Sequence, residues 1–375
     1  MKFRKIILLT IFFATLLTSL FSQNIYLLVL LSICSVVFLP FKRFWDAIAI
    51  ALLVFSFFYT TMVVLKGEIK SGFVALSYLI TPVSLYRLGL FLMDEFKDEK
   101  SRLRLIFCMV SAYLLNVFVL TLVDLSIVGI VNEDRTLLGY STSDDALAAT
   151  LYGLMTSVGI GCLGAAFAKR MKILPRLLYS ILVLMSLLVV VHLINRTGLV
   201  IAIVCLLVTL LYRENFKIHR IILVFCILAL LAFGLFASGA IDYEVLEAYQ
   251  KREVDASMGI ATAGGRTQLW LDALSDMFMN PLGWEQRVYA HNMWLDIAKV
   301  AGWFAIIPFL VATYFYLKKL WKLMRARFSN IALLLISLNV SMLLAASVEP
   351  VLEGSMLFFG LLMCMWGMAV SLSNA

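Results

Sequence analysis

Predominantly apolar stretches long enough to cross a bilayer recur along this sequence, beginning with IILLTIFFATLLTSLF at residues 6–21. A backbone carried into hydrocarbon must satisfy its own N–H and C=O groups, so such runs are read as helices. Of 375 residues, 63% are hydrophobic and 14% charged, which leaves no stretch polar enough for a soluble domain. The expected fold class is all-α: a polytopic integral membrane protein forming a single transmembrane domain over residues 1–375.

Apolar windows of spanning length fall near 6–22, 25–41, 46–65, 72–93, 104–124, 146–167, 174–193, 196–212, 219–238, 293–316, 328–347 and 355–372, twelve in all. The opening MKFRK and its apolar run have the layout of a signal peptide. No small-x-small cleavage pattern follows Leu20, so this run is read as the first span. Counting Lys and Arg in alternate connections gives twenty-one on one side, from Lys2 to Arg327, and eight on the other. The eight are Lys66, Lys70, Arg135, Arg196, Lys251, Arg252, Arg266 and Arg287. The positive-inside rule then places both termini in the cytoplasm, and the net charge of +8 reports topology, not a nucleic-acid partner. Arg87 and Lys299 are left inside spans near their ends, and Arg87 is expected to snorkel to the interface. The six cysteines, Cys34, Cys108, Cys162, Cys205, Cys226 and Cys364, all lie in apolar runs and are read as small buried hydrophobes.

Two extracytoplasmic segments exceed what a turn requires, 125–145 and 239–290. In the second, Leu269, Trp270, Ala273, Leu274, Met277 and Phe278 share one helical face, and Gln268, Asp272, Ser275 and Asp276 the other. That pattern predicts an interfacial helix over about 266–279, stopped by Asn280-Pro281.

The spacing of HExxH, of paired CxxC and of a Walker loop is missing, so neither a metal cofactor nor ATP is expected. What remains is a set of extracytoplasmic cations at helix starts: Arg196 in HLINRTGLV, Arg266 in GGRTQLW and His291 in YAHNMWLD. Helix N-termini and arginine forks both bind anions, and Gly264 and Gly265 would let the backbone approach one closely. Together they describe a phosphate or pyrophosphate site at the membrane surface. Histidine titrates near neutrality, which makes His291 the natural acceptor of a hydroxyl proton in this region. Plainer readings stand beside these. Arg196 is otherwise a snorkelling interfacial arginine, Arg266 a lipid-headgroup anchor, and His291 a helix cap. His192 reads as packing, and Glu349 and Glu353 as loop acids that could also neutralise the cations.

The stretches NRTGLV (195–200), GGRTQLWLDAL (264–274), NPLGW (280–284) and HNMWLDIAKVAGW (291–303) resemble, in order, the motifs of the O-antigen ligase and O-antigen polymerase (Wzy-type) superfamily. The shared pattern is an Arg opening a helix, an Arg-x-x-x-Trp helix ending in Pro-x-x-Gly, and His-Asn opening a helix with Gly302 eleven residues on. It covers about 180–320; Val200 stands where leucine is common, a change between two apolar residues. The resemblance implies a glycosyltransferase of the bacterial inner membrane, working at the periplasmic face without metal or cofactor. It would move a glycan from an undecaprenyl-pyrophosphate carrier to an acceptor hydroxyl. Arg196 and Arg266 would clamp the pyrophosphate and His291 would act as base. Arg287, Asn292, Gly265 and Trp270 would contact substrate. Membrane lipids and a chain-length regulator protein are the further partners implied.

A polymerase of O-antigen or capsular repeat units is favoured over a ligase that joins polysaccharide to lipid A core, on the greater number of polymerases. A flippase or exporter of lipid-linked oligosaccharide is the reading from another class. Transporters gather charge near the bilayer midplane, whereas the spans here are almost uncharged at their centres.

Overall fold

The apolar runs within the described residues fold as helices. The structure is a computed structural model that describes residues 2–21, 24–40, 45–67, 71–137, 145–169, 171–213, 247–251, 266–284, 289–326 and 329–374, with no strand among them. Among the described residues, seven helices are long and apolar enough to cross a membrane: Ala47–Leu65, Gly72–Glu95, Glu99–Ile127, Ile173–His192, Arg196–Arg213, Met293–Arg325 and Met356–Asn374. Asn24–Phe38, Thr150–Ala166 and Asn330–Ala346 are apolar but shorter, and Lys2–Leu17 forms a 16-residue helix. The remaining expected span, 219–238, lies outside the described residues.

The chain divides into two compact units, one of Met1–Asn116, Gln268–Arg327 and Met342–Ala375, the other of Val117–Thr267 and Phe328–Ser341. In the first, Met356–Asn374 is the central helix, with 89% of its apolar window buried. The Trp366 ring stacks on Tyr316 at 4.2 Å between centroids and lies 6.2 Å from Phe309. Lipid tails are as apolar as these side chains, so close dispersion contact holds this core, not escape from water.

Arg87 departs from expectation. It does not snorkel: it is 1% exposed, donates from Nη2 to Pro40 O at 3.1 Å and lies over the Trp45 ring. A carbonyl and an aromatic face brought in from the segment before Ala47–Leu65 give the guanidinium an internal site, so it need not reach the interface.

The helix Met293–Arg325 is broken at Gly302, whose φ of 61° and ψ of −157° only glycine adopts readily. The turn Asn280–Trp284 is keyed into the break: Trp303 N donates to Pro281 O and Trp284 N to Lys299 O, each at 2.9 Å. A Cβ on Gly302 would collide with Pro281 O, Gly283 N and Leu282 C, so glycine is required at this close approach. The span expected as one helix is therefore a short segment, Met293–Ala301, followed by a longer one.

In the second unit Ser337 is a polar hub. Its hydroxyl accepts from Gly164 N at 3.1 Å and from Thr209 Oγ1 at 3.2 Å, and lies 3.0 Å from Cys205 Sγ. Such bonds between helices replace the hydrophobic drive that lipid lacks. Of the cysteines, Cys162, Cys205 and Cys364 are buried as expected, but Cys34 is half-buried and Cys108 exposed. Cys226 lies outside the described residues.

Candidate functional site

The second unit carries the arginine cluster. The helix Ile173–His192 stops at Leu193, whose N–H donates to Val189 O at 3.0 Å, and the chain reverses in three residues to start Arg196–Arg213. Ile194 makes the turn with φ 49°, a left-handed conformation costing a β-branched residue about 1–2 kcal/mol. Its side chain is 2% exposed, packed with Val131, Ala248 and Tyr249. Burial of an isoleucine, of order 1.5–3 kcal/mol in aqueous terms, is enough to offset that strain. Asn195 caps the new helix by accepting from Gly198 N at 3.0 Å.

Arg196 and Thr197 form the first turn and are half-buried. Arg266, the first described residue of the helix Arg266–Met279, donates from Nη1 to Thr197 Oγ1 at 3.3 Å. Arg266 therefore reaches the first turn of the helix Arg196–Arg213. A helix N-terminus carries roughly half a positive charge, and the arginine beside it adds a full one, a combination that suits an anion. Gly264, Gly265 and Arg287, expected at the same site, lie outside the described residues.

His192, read from sequence as packing, is part of a buried polar knot that sequence reasoning missed. Its Nε2 is 2.7 Å from Asp124 Oδ2 and its Nδ1 3.0 Å from Ile130 O. Asn132 Nδ2 donates to the same Asp124 oxygen at 2.6 Å, and Asn132 N donates to His192 O at 2.8 Å. The loop after Glu99–Ile127 is thereby tied to the turn before Arg196. The only signal in the sequence was an aspartate at the end of an apolar run.

The first unit holds His291, which has φ 51°. The carboxylate of Asp296, 2% exposed, accepts from Ala290 N at 2.8 Å and Asn292 N at 3.1 Å, gripping the backbone on both sides of the histidine. Trp270 Nε1 adds a bond to Ala290 O at 2.8 Å. Asn292, not His291, is the helix cap: its Oδ1 accepts from Trp294 N at 3.1 Å and Leu295 N at 3.3 Å. Its Nδ2 donates to Ser347 O at 3.0 Å. Glu349 comes from the turn after Asn330–Ala346; its Oε2 is 3.7 Å from His291 Nδ1, too long for a hydrogen bond but within ion-pair reach. Lys299 is also buried here, 4.9 Å from the centre of the Tyr289 ring.

The predicted amphipathic helix divides differently from its sequence pattern. Of the expected apolar face, Leu269, Trp270, Ala273 and Met277 are partly or fully buried, whereas Leu274 and Phe278, with Leu271, are exposed on the same side as polar residues. Phe278 packs edge-on to Trp303, and Trp303 Nε1 donates to Met277 O at 2.8 Å. Compared with protein-family models and with curated proteins, the chain matches none.

Proposed function

We propose that this protein is a membrane glycosyltransferase that polymerises lipid-linked glycan repeat units at the extracytoplasmic face of the bacterial inner membrane. The observation that supports the reading is the hydrogen bond from Arg266 to Thr197, which brings Arg266 to the helix start that carries Arg196. Arginine forks match phosphate oxygens, and a pyrophosphate leaving group is the anion that a membrane-surface site of this kind would hold. In the reaction the acceptor hydroxyl oxygen attacks the anomeric carbon of the donor sugar. The bond from that carbon to the pyrophosphate oxygen breaks. The hydroxyl proton passes to His291, and the lipid pyrophosphate leaves with the bond's electron pair, its charge met by Arg196 and Arg266.

Glu349 stabilises the imidazolium that forms on His291. Trp270 and Asn292, implied by the family resemblance as substrate contacts, serve in this reading as positioning residues, because they hydrogen-bond to Ala290 O, to Ser347 O and to the start of the helix that follows His291. The exposed apolar residues Leu271, Leu274 and Phe278 would rest in the outer boundary of the bilayer, where a lipid-linked donor arrives.

The test is a deletion strain complemented with Arg196→Ala, Arg266→Ala or His291→Ala, with surface polysaccharide resolved on a gel. Each variant is expected to insert normally yet lose long chains while single capped repeats persist. Loss of all polysaccharide on the lipid A core would instead assign a ligase. Build-up of lipid-linked repeats on the cytoplasmic face would assign an exporter, and a normal ladder from all three variants would overturn the enzyme reading.

A further inference from the structure

A pyrophosphate diester offers several non-bridging oxygens, each able to accept more than one hydrogen bond, so two guanidinium forks leave acceptor capacity over. A third arginine stands at the same turn. Arg135 Nε donates to Leu193 O at 3.4 Å, three residues before Arg196. Arg135 is half-buried and has φ 58°, an unusual conformation for a non-glycine residue. Its backbone N–H donates to Asn132 Oδ1 at 3.1 Å. Asn132 in turn is held through Nδ2 by Asp124 Oδ2 at 2.6 Å and Thr136 O at 2.7 Å. Asp124 and His192 are both fully buried, so the support beneath Arg135 is walled off from solvent.

We infer that Arg135 is a third arm of the anion site, and that the Asp124–His192–Asn132 knot is the device that aims it. The inference rests on the donor-site reading above. Burying an ionisable pair is expensive, and its best-attested return is a fixed arrangement rather than stability. Here the arrangement fixed is the loop that carries Arg135 against the turn that carries Arg196. Arg135 would grip one phosphate of the pyrophosphate while Arg196 and Arg266 grip it from the two helix starts. Asp124, His192 and Asn132 are positioning residues and would not touch the ligand.

The experiment is a titration of the full chain in lipid nanodiscs with inorganic pyrophosphate, with sulfate as the control anion. Wild type is expected to bind pyrophosphate, and Arg135→Gln, Arg196→Gln and Arg266→Gln each to weaken binding by about tenfold, the loss of one charge-assisted contact. Asp124→Asn should weaken binding in the wild-type background but cost nothing further in an Arg135→Gln background, which a merely structural role would not produce. If Arg196→Gln and Arg266→Gln lose affinity while Arg135→Gln stays within about twofold of wild type, the inference fails and the donor site stands. If wild type does not bind, or Arg196→Gln and Arg266→Gln bind unchanged, the donor-site reading itself fails. Should Arg135→Gln not be recovered folded, Arg135→Lys decides: it keeps the charge without the fork, and affinity equal to wild type would overturn the inference.

Discussion

Replacing Gly302 by alanine asks a methyl group to enter space already held by backbone. The conformation at φ 61° and ψ −157° costs any residue with a Cβ about 1–3 kcal/mol before contacts are counted. The added carbon would lie 2.6 Å from Gly283 N and from Leu282 C, and would also overlap Pro281 O. These are main-chain atoms, so relief means moving the turn 280–284 away. That breaks the 2.9 Å bonds from Trp303 N to Pro281 O and from Trp284 N to Lys299 O. Each is worth about 1 kcal/mol net, which brings the expected loss to about 3–5 kcal/mol. Thermal unfolding in detergent should show Tm lower by about 4–6 °C. Gly72→Ala is the control, since a Cβ there meets nothing within 4 Å and should leave Tm nearly unchanged. The same break orients Met293–Ala301, the short helix that follows His291, so Gly302→Ala should also shorten the polysaccharide ladder. A Gly302→Ala protein that melts with wild type would refute the broken-helix account.

Asn292→Ala removes both the cap and the bond to Ser347 O, and should cost about 1–2 kcal/mol in unfolding measurements, whereas Asn292→Ser, which retains a capping oxygen, should cost less. Glu349→Gln keeps shape but not charge beside His291; membrane insertion should be normal and chain elongation slower, and a wild-type ladder would remove Glu349 from the mechanism. The Asp98 carboxyl is held below the ordinary aspartate range by the Ser101 backbone N–H, which it accepts at 2.8 Å. Because the folded value is the lower one, this stabilisation is present above the unfolded value of about 3.9 and is lost as pH falls through the folded value. Asp98→Ala should therefore flatten the dependence of Tm on pH in that acid window and leave it unchanged near neutrality.

Much of this was legible because local chemistry wrote it. The stop of the helix expected over about 266–279 could be placed from Asn280-Pro281, and the helix ends at Met279. Arg196 likewise opens its helix. The features that escaped depend on partners distant in sequence. Arg87 looked like a snorkelling residue because its partner Pro40 lies 47 residues away. His192 looked like packing because Asp124 lies 68 residues away. The break at Gly302 was hidden by continuous hydropathy: glycine is ordinary in membrane helices, and only the turn at Pro281 shows why this one departs from helical geometry. In YAHNMWLD the local polarity drew notice to His291, while the cap itself is made by Asn292 and the backbone grip by Asp296.

The most direct measurement of the central claim is an experimentally determined structure of the full chain in nanodiscs with an undecaprenyl-pyrophosphate-linked glycan bound. The account predicts pyrophosphate oxygens within hydrogen-bond reach of the Arg196 and Arg266 guanidinium groups, beside Thr197. A donor whose pyrophosphate is held elsewhere, with those two arginines turned away from it, would contradict it.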